Sequence, residues 1–242
     1  MSLVPQKEVD GLLLMDKPGG LTSHDIVYRV RRKLQMKRIG HAGTLDPMAT
    51  GLLIILVGKA TKASQYLMGA DKVYEGTLRL GITTNSQDAD GEVMETQPVP
   101  AFTAAQIEEA MNTFLGDQYQ TPPMFSAIKV GGVPLYKLAR KGEEIEREPR
   151  FIRISKLETL GFESPDLRFR MFCTKGTYVR TFAHDLGRKL GCCGHLCALR
   201  RIASGEFSVA SAITLDAFEA LPIAEAHARL VPVAGSVPMH HL

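Results

Sequence analysis

The chain has 242 residues, 45% hydrophobic and 23% charged, with a formal net charge of +3. That composition excludes a disordered chain, a coiled coil and a collagen-like repeat, and it supplies enough apolar side chain for a sizeable buried core. The greasiest run, Leu52 to Val57, is far shorter than the ~18 residues a membrane helix needs. Lys7, Glu8 and Asp10 ahead of Leu12 lack the basic-then-apolar order of a secretion signal, so a cytoplasmic protein is expected.

In chain order, Gly11 to Met15 reads as a short buried strand, broken by Pro18-Gly19-Gly20. Ser23 is expected to cap a helix whose apolar stripe is Ile26, Val27, Val30 and Leu34, with Arg31, Arg32 and Lys33 outward. Gly40 to Thr50 reads as a loop, Leu52 to Val57 as a core strand, Ala60 to Leu67 as a short helix and Lys72 to Leu80 as a strand. Asn85 to Gly91 makes a turn. Thr103 opens a helix with Gln106 placed for a capping box, and Gly116 is expected to end it. Thr121-Pro122-Pro123 interrupts the chain, Gly131-Gly132 makes a hairpin turn, and Leu135 to Lys141 is helical. Phe151 to Leu160 and Leu167 to Cys173 pair as antiparallel strands, and Tyr178 to Leu190 is a helix stopped by Gly191. Two further helices lie around Leu215 to Leu221 and Ile223 to Leu230. The irregular order of strands and helices predicts an α+β class rather than a doubly wound sheet.

Charge is segregated along the chain. Thr83 to Gln118 holds seven acids and no Lys or Arg, whereas Leu167 to Arg201 holds eight bases against Asp185 alone. Arg29 to Arg38 carries six bases and no acid; Lys137 to Arg153 carries six bases and four acids. Such segregation fits either a polyanion partner or separate solvated faces. Cys173, Cys192, Cys193 and Cys197 lack paired C-x₂-C spacing, so buried thiols are expected and no metal site.

Most motif candidates fail. Gly58-Lys59-Ala60-Thr61 lacks the earlier glycine of a phosphate-binding loop, with Leu53 in its place. Asp88-Ala89-Asp90-Gly91 lacks two calcium ligands, because Ser86 and Gln97 occupy those positions. Neither a dinucleotide fingerprint, a zincin helix nor a nucleophile elbow is present. What survives is Gly40-His41-Ala42-Gly43-Thr44-Leu45-Asp46-Pro47, a glycine-bearing loop between a basic helix and a core strand. A carboxylate on a rigid turn can serve as nucleophile or general base, and Asp-Pro can equally make a plain turn.

This segment resembles the catalytic loop of the pseudouridine synthases, in the form typical of the TruB family. Further matches follow in that family's order over roughly residues 9–207. They are Asp16 to Ser23, Lys72 to Gly76, Asp88 to Gly91, Pro122 to Lys129 with Tyr136 to Gly142, Lys175 to Arg180, and Leu199-Arg200-Arg201. The resemblance implies the pseudouridine synthase fold, a mixed, mainly antiparallel sheet with flanking helices and a central RNA-binding cleft. It implies isomerisation of uridine to pseudouridine in the TΨC loop of tRNA, position 55, without cofactor or metal. Asp46 would be the nucleophile, at ribose C1′ or uracil C6. Tyr74 would stack on the flipped uracil and take the C5 proton; Arg180 would pair with Asp46; Tyr178 and Leu199 would close the uracil pocket; His41 would fill the space the base vacates.

On this reading residues 1–212 form the catalytic domain, with an RNA-gripping insertion at about 122–152. Residues 213–242 form a short extension without the complete PUA-type domain of longer relatives. Asn85 stands where the family usually carries aspartate, so a charged role there is not carried over. The expected partner is the TΨC arm of tRNA, with no membrane and no obligate protein partner, the chain acting as a monomer. The rival readings are a guide-RNA-dependent relative and an RNA-binding or RNA-folding protein.

Overall fold

The computed structural model describes residues 9–233. The secretion-signal reading of residues 1–8 and the last part of the extension, residues 234–242, lie outside the described residues. Two compact units are present, one made of the segment ending at Lys72 with the segment beginning at Arg200, the other of Val73–Leu199.

The first unit opens with β1 (Gly11–Lys17), followed by α1 (Ser23–Leu34), β2 (Ile39–His41), β3 (Thr50–Val57), a 3₁₀ turn (Gly58–Ala63) and α2 (Ser64–Gly69). From Gly51 onward β3 is buried throughout, as its unbroken apolar sequence requires of a strand covered on both faces. It pairs antiparallel with β1, Leu14 opposite Ile54, and with β2, His41 opposite Ile55. Thr22 caps α1, not Ser23. The Thr22 hydroxyl accepts from the Asp25 amide at 3.1 Å while the Thr22 amide donates to Asp25 at 2.8 Å, a reciprocal box that Ser23 cannot form because Ile26 stands three residues on. The expected stripe Ile26, Val27, Val30 and Leu34 is buried. The expected helix from Ala60 begins as the 3₁₀ turn.

The second unit contains β4 (Lys72–Leu80), β5 (Ile82–Thr84), β6 (Val93–Thr96), α3 (Ala104–Asn112), β7 (Gly116–Gln120), β8 (Lys129–Val130), β9 (Val133–Pro134), α4 (Leu135–Ala139), β10 (Arg150–Glu163), β11 (Asp166–Cys173) and α5 (Val179–Lys189). β12 (Gly194–Ser204) then begins in the second unit and ends in the first. Within the second unit the strand order is β12-β4-β11-β10-β7. The β10–β11 hairpin buries Ile152, Ile154, Phe169 and Met171, and Phe169 meets Phe182 of α5 edge-on at 5.3 Å between centroids. Thr103 and Gln106 form the capping box read from sequence, and α3 stops at Asn112. Gly116 therefore does not end the helix; at φ +91° it opens β7.

β12 has no counterpart in the sequence reading. Its last residues rejoin the first unit, where Arg200 and Arg201 pair in parallel with Thr50 and Gly51 of β3. There β13 (Phe207–Ser208) pairs with β12, β14 (Ile213–Thr214) runs parallel to β1, and α6 (Leu215–Ala220) and α7 (Ile223–Ala228) follow. Among the described residues no helix is long and apolar enough to cross a membrane.

Candidate active site

Between β2 and β3 lies the loop that carries Asp46. Its backbone is held by three side chains from different elements. Lys17, at the end of β1 and 0% exposed, donates to the carbonyls of Pro18 (2.8 Å), Leu21 (2.6 Å) and Pro47 (3.2 Å). Ser23, inside the first turn of α1 and buried, accepts from the Leu45 amide at 2.9 Å and lies 3.1 Å from the Leu45 carbonyl. Arg201, 1% exposed, donates to the carbonyls of Leu52 (2.7 Å), Gly43 (3.1 Å) and Thr44 (3.5 Å). The loop closes on itself through the Ala49 amide and the Asp46 carbonyl at 3.1 Å. A charged group buried this deeply is tolerated only when hydrogen-bonded, and here the carbonyls of the loop and its flanking segments supply the bonds.

Burial pushes the Lys17 ammonium down to about 8, against the opposing pull of the Asp46 and Asp25 carboxylates. Half-buried Asp46 thus sits in the field of a buried cation. His41, at the end of β2, is also half-buried; burial first, then the positive fields of His24 and Arg201, hold its pKa below the usual histidine value. Its ring meets His24 edge-on at 5.9 Å, and its Nδ1 is buried without a hydrogen-bond partner. Burial thus favours the neutral imidazole beside the loop, and among the described residues its Nδ1 is not tied to the protein.

The remaining candidates lie in the second unit. Tyr74 is half-buried on β4 and Leu199 is 8% exposed on β12. Tyr178 is the residue preceding α5; its backbone N–H donates to Gln120 Oε1 at 2.8 Å and its carbonyl accepts from Gln120 Nε2 at 3.0 Å. That buried glutamine acts as a substitute ladder rung between β7 and the start of α5. Arg180, in the first turn of α5 and 5% exposed, donates to the carbonyls of Ser86 (2.9 Å) and Phe125 (2.8 Å) and lies 3.4 Å from Asp88. Asp88 also accepts from the Ser86 hydroxyl and from the Asp90 amide at 3.1 Å. Arg180 therefore ties the 85–91 turn and the start of the 122–129 segment to α5.

So His41 and Asp46 share the first unit with Lys17, Ser23 and Arg201, and Tyr74, Tyr178, Arg180 and Leu199 share the second with Asp88 and Gln120. Sequence reasoning quoted Lys17, Asp88 and Arg201 inside motifs but gave them no structural task, and it took Ser23 for a cap. A signal existed for Lys17, which follows a run of buried positions on β1. Cys173, Cys192 and Cys193 are buried and Cys197 is half-buried; His195 Nε2 lies 3.3 Å from the Cys197 sulfur.

Comparison with known proteins adds an independent line. Residues 31–179 match the TruB family pseudouridylate synthase N-terminal domain, and residues 180–232 match the tRNA pseudouridylate synthase B C-terminal domain. Curated proteins named tRNA pseudouridine synthase B are similar. That of Opitutus terrae is 66% identical over 97% of this chain and 97% of its own length, and that of Syntrophotalea carbinolica is 48% identical over 87% and 69%. Among solved structures, a chain of a Cbf5-Nop10-Gar1 complex is 28% identical with a TM-score of 0.72, over 92% of this chain and 60% of that one. A chain of an H/ACA RNP bound to a substrate RNA is 27% identical with a TM-score of 0.65, over 86% and 52%.

Proposed function

The chain belongs to the TruB family of pseudouridylate synthases and isomerises uridine to pseudouridine in tRNA, and we propose that its target is the TΨC-loop uridine at position 55, with Asp46 as nucleophile. The observation that carries the assignment of Asp46 is its loop, whose backbone three buried polar side chains grip on both sides of the carboxylate. A nucleophile gains most from being fixed before the substrate arrives.

The reaction breaks the C1′–N1 bond and forms a C1′–C5 bond. The uracil N1 takes up a proton and C5 loses one, so no redox partner enters and the nucleotide keeps its composition. Asp46 attacks C1′ or C6, and both routes use the same carboxylate. The nucleotide must first leave its stack, at a cost of a few kcal/mol. His41 fills the vacated space, a task suited to a neutral ring. Tyr74 stacks on the flipped uracil and receives the C5 proton. Tyr178 and Leu199 supply the pocket walls, and Arg180 is the counter-charge assigned to the Asp46 carboxylate. Exposed bases of the clusters at 29–38 and 167–201, such as Arg32, Lys37 and Lys175, contact phosphates, which makes affinity salt-dependent.

The test is pseudouridine formation in an unmodified tRNA transcript, mapped to the nucleotide, with wild type and Asp46→Asn compared. One new pseudouridine in the TΨC loop, absent with the variant, is the expected result. Product at another nucleotide would overturn the substrate site. Full turnover by Asp46→Asn would overturn the nucleophile. Absence of product from the wild-type chain, with tRNA binding intact, would move the protein to an RNA-binding role.

A further inference from the structure

We propose that Arg201 is a positioning residue for the reaction: from beneath the loop it fixes the peptide units just before Asp46, and so sets where the nucleophilic carboxylate points. The inference rests on the reading of Asp46 as nucleophile.

The guanidinium is 1% exposed and, among the described residues, makes no ion pair. Buried arginines ordinarily face a carboxylate, because an uncompensated interior charge is costly. Here the partners are three carbonyls instead. Leu52 O, at 2.7 Å from Nε, belongs to β3; Gly43 O and Thr44 O, at 3.1 and 3.5 Å from the two terminal nitrogens, belong to the loop. A planar fork with donors in fixed directions can hold a strand and two successive loop carbonyls at once; a lysine ammonium cannot match those directions. The anchor itself is rigid, since the Arg201 backbone pairs with Gly51 in a parallel ladder.

Close packing supports the same assignment. Gly43 has φ +102°, and a Cβ there would sit 3.6 Å from Arg201 Nη1. Gly51 has φ +96°, and a Cβ there would sit 2.9 Å from the Arg201 amide nitrogen and closer still to its carbonyl. Gly51 is thus a place where the backbone comes right up to this residue, and Gly43 lies at ordinary contact distance from its guanidinium. Its charge has a second reach, because after burial the Arg201 guanidinium is among the causes that hold the pKa of His41 down.

Two substitutions separate these tasks. Arg201→Lys keeps the charge and loses the fork; Arg201→Gln loses both. Each is measured at 15 °C beside Asp46→Asn, with folding checked by circular dichroism, tRNA affinity by filter binding, single-turnover rates at saturating enzyme, and the His41 pKa by NMR titration. Arg201→Lys should turn over ~100-fold more slowly, the scale of a displacement of about 1 Å in a reacting group, with affinity within about threefold of wild type. Its His41 pKa should stay put, whereas in Arg201→Gln it should rise.

A folded Arg201→Lys enzyme with a rate within about threefold of wild type would overturn the proposal, as would a rate loss matched by an equal loss of affinity. If neither variant folds, Arg201 is structural only and the proposal falls. Full turnover by Asp46→Asn would instead overturn the underlying reading, whatever the Arg201 variants do.

Discussion

Asp88→Asn tests the network around Arg180. The two side chains are 7% and 5% exposed and approach to 3.4 Å. Removing one partner of a buried ion pair strands the other charge and costs about 3–5 kcal/mol. Asparagine keeps an oxygen for the Ser86 hydroxyl and the Asp90 amide, and Arg180 keeps the carbonyls of Ser86 and Phe125, so the loss belongs at the lower end, about 3 kcal/mol. For a chain of this size each kcal/mol moves Tm by about 2–4 °C, so thermal melting followed by circular dichroism at pH 7 should show a fall of roughly 6–12 °C. A double variant, Asp88→Leu with Arg180→Met, should melt above Asp88→Leu alone, because the buried guanidinium goes with its Asp88 partner. Turnover of Asp88→Asn should fall ~10-fold as Arg180 loses its orientation. A melt within about 2 °C of wild type would show that the contact carries no net stability and would refute the reasoning.

Three further substitutions probe features away from that pair. Gly51→Ala combines a left-handed backbone with a Cβ driven into the Arg201 main chain, and should cost about 3–5 kcal/mol in urea unfolding. Gly131→Ala, also left-handed but facing open space, should cost only about 1 kcal/mol; equal losses would refute the steric argument. Asp185 is exposed at the surface, but partial desolvation of its carboxyl on α5 still pushes it up to about 6, so the folded state binds its proton more tightly than the unfolded state does. The resulting penalty is absent near pH 4, grows as pH rises and is complete above pH 6. Asp185→Asn should therefore match wild type at pH 4 and exceed it by about 1–2 kcal/mol at pH 7, an amount scaled down for the water that still reaches the group. A pH-independent difference would contradict the assignment.

Local pattern carried much of the fold. The stripe of α1, the apolar run of β3 and the alternation along β10 and β11 each announce an element whose burial follows directly. Where the reading failed, competing local signals were present. Thr22 and Ser23 are equally good caps by type, and only the spacing to Asp25 separates them. Gly116 looks like a helix stop because glycine serves left-handed positions in both helix ends and strand starts. β12 went unread because Arg200, Arg201 and His195 break its apolar alternation, and nothing local reveals that Arg201 is buried. Its burial is created by Gly43, Thr44 and Leu52, about 150 residues earlier in the chain. The same distance hides the site's scaffolding: motifs announce Asp46, but the side chains that hold its loop declare themselves only through long-range contacts.

As the chain leaves the ribosome, the end of β12 decides when the first unit can be completed. The second unit is one continuous stretch, Val73–Leu199, with all its strand partners to hand once it has been made. The first unit is interrupted by it. β1 and β3 can pair early, yet β3 has no parallel neighbour until Arg200 and Arg201 emerge, and β1 has none until β14. Contacts that span so much sequence form late, after the entropy of closing the intervening chain has been met. The loop bearing Asp46 is synthesised together with Lys17 and Ser23 and receives the bonds from Arg201 only after the whole second unit has been made. A nascent chain released before residue 200 would carry the whole of the second unit's sequence and an Asp46 loop held by Lys17 and Ser23 but lacking the bonds from Arg201.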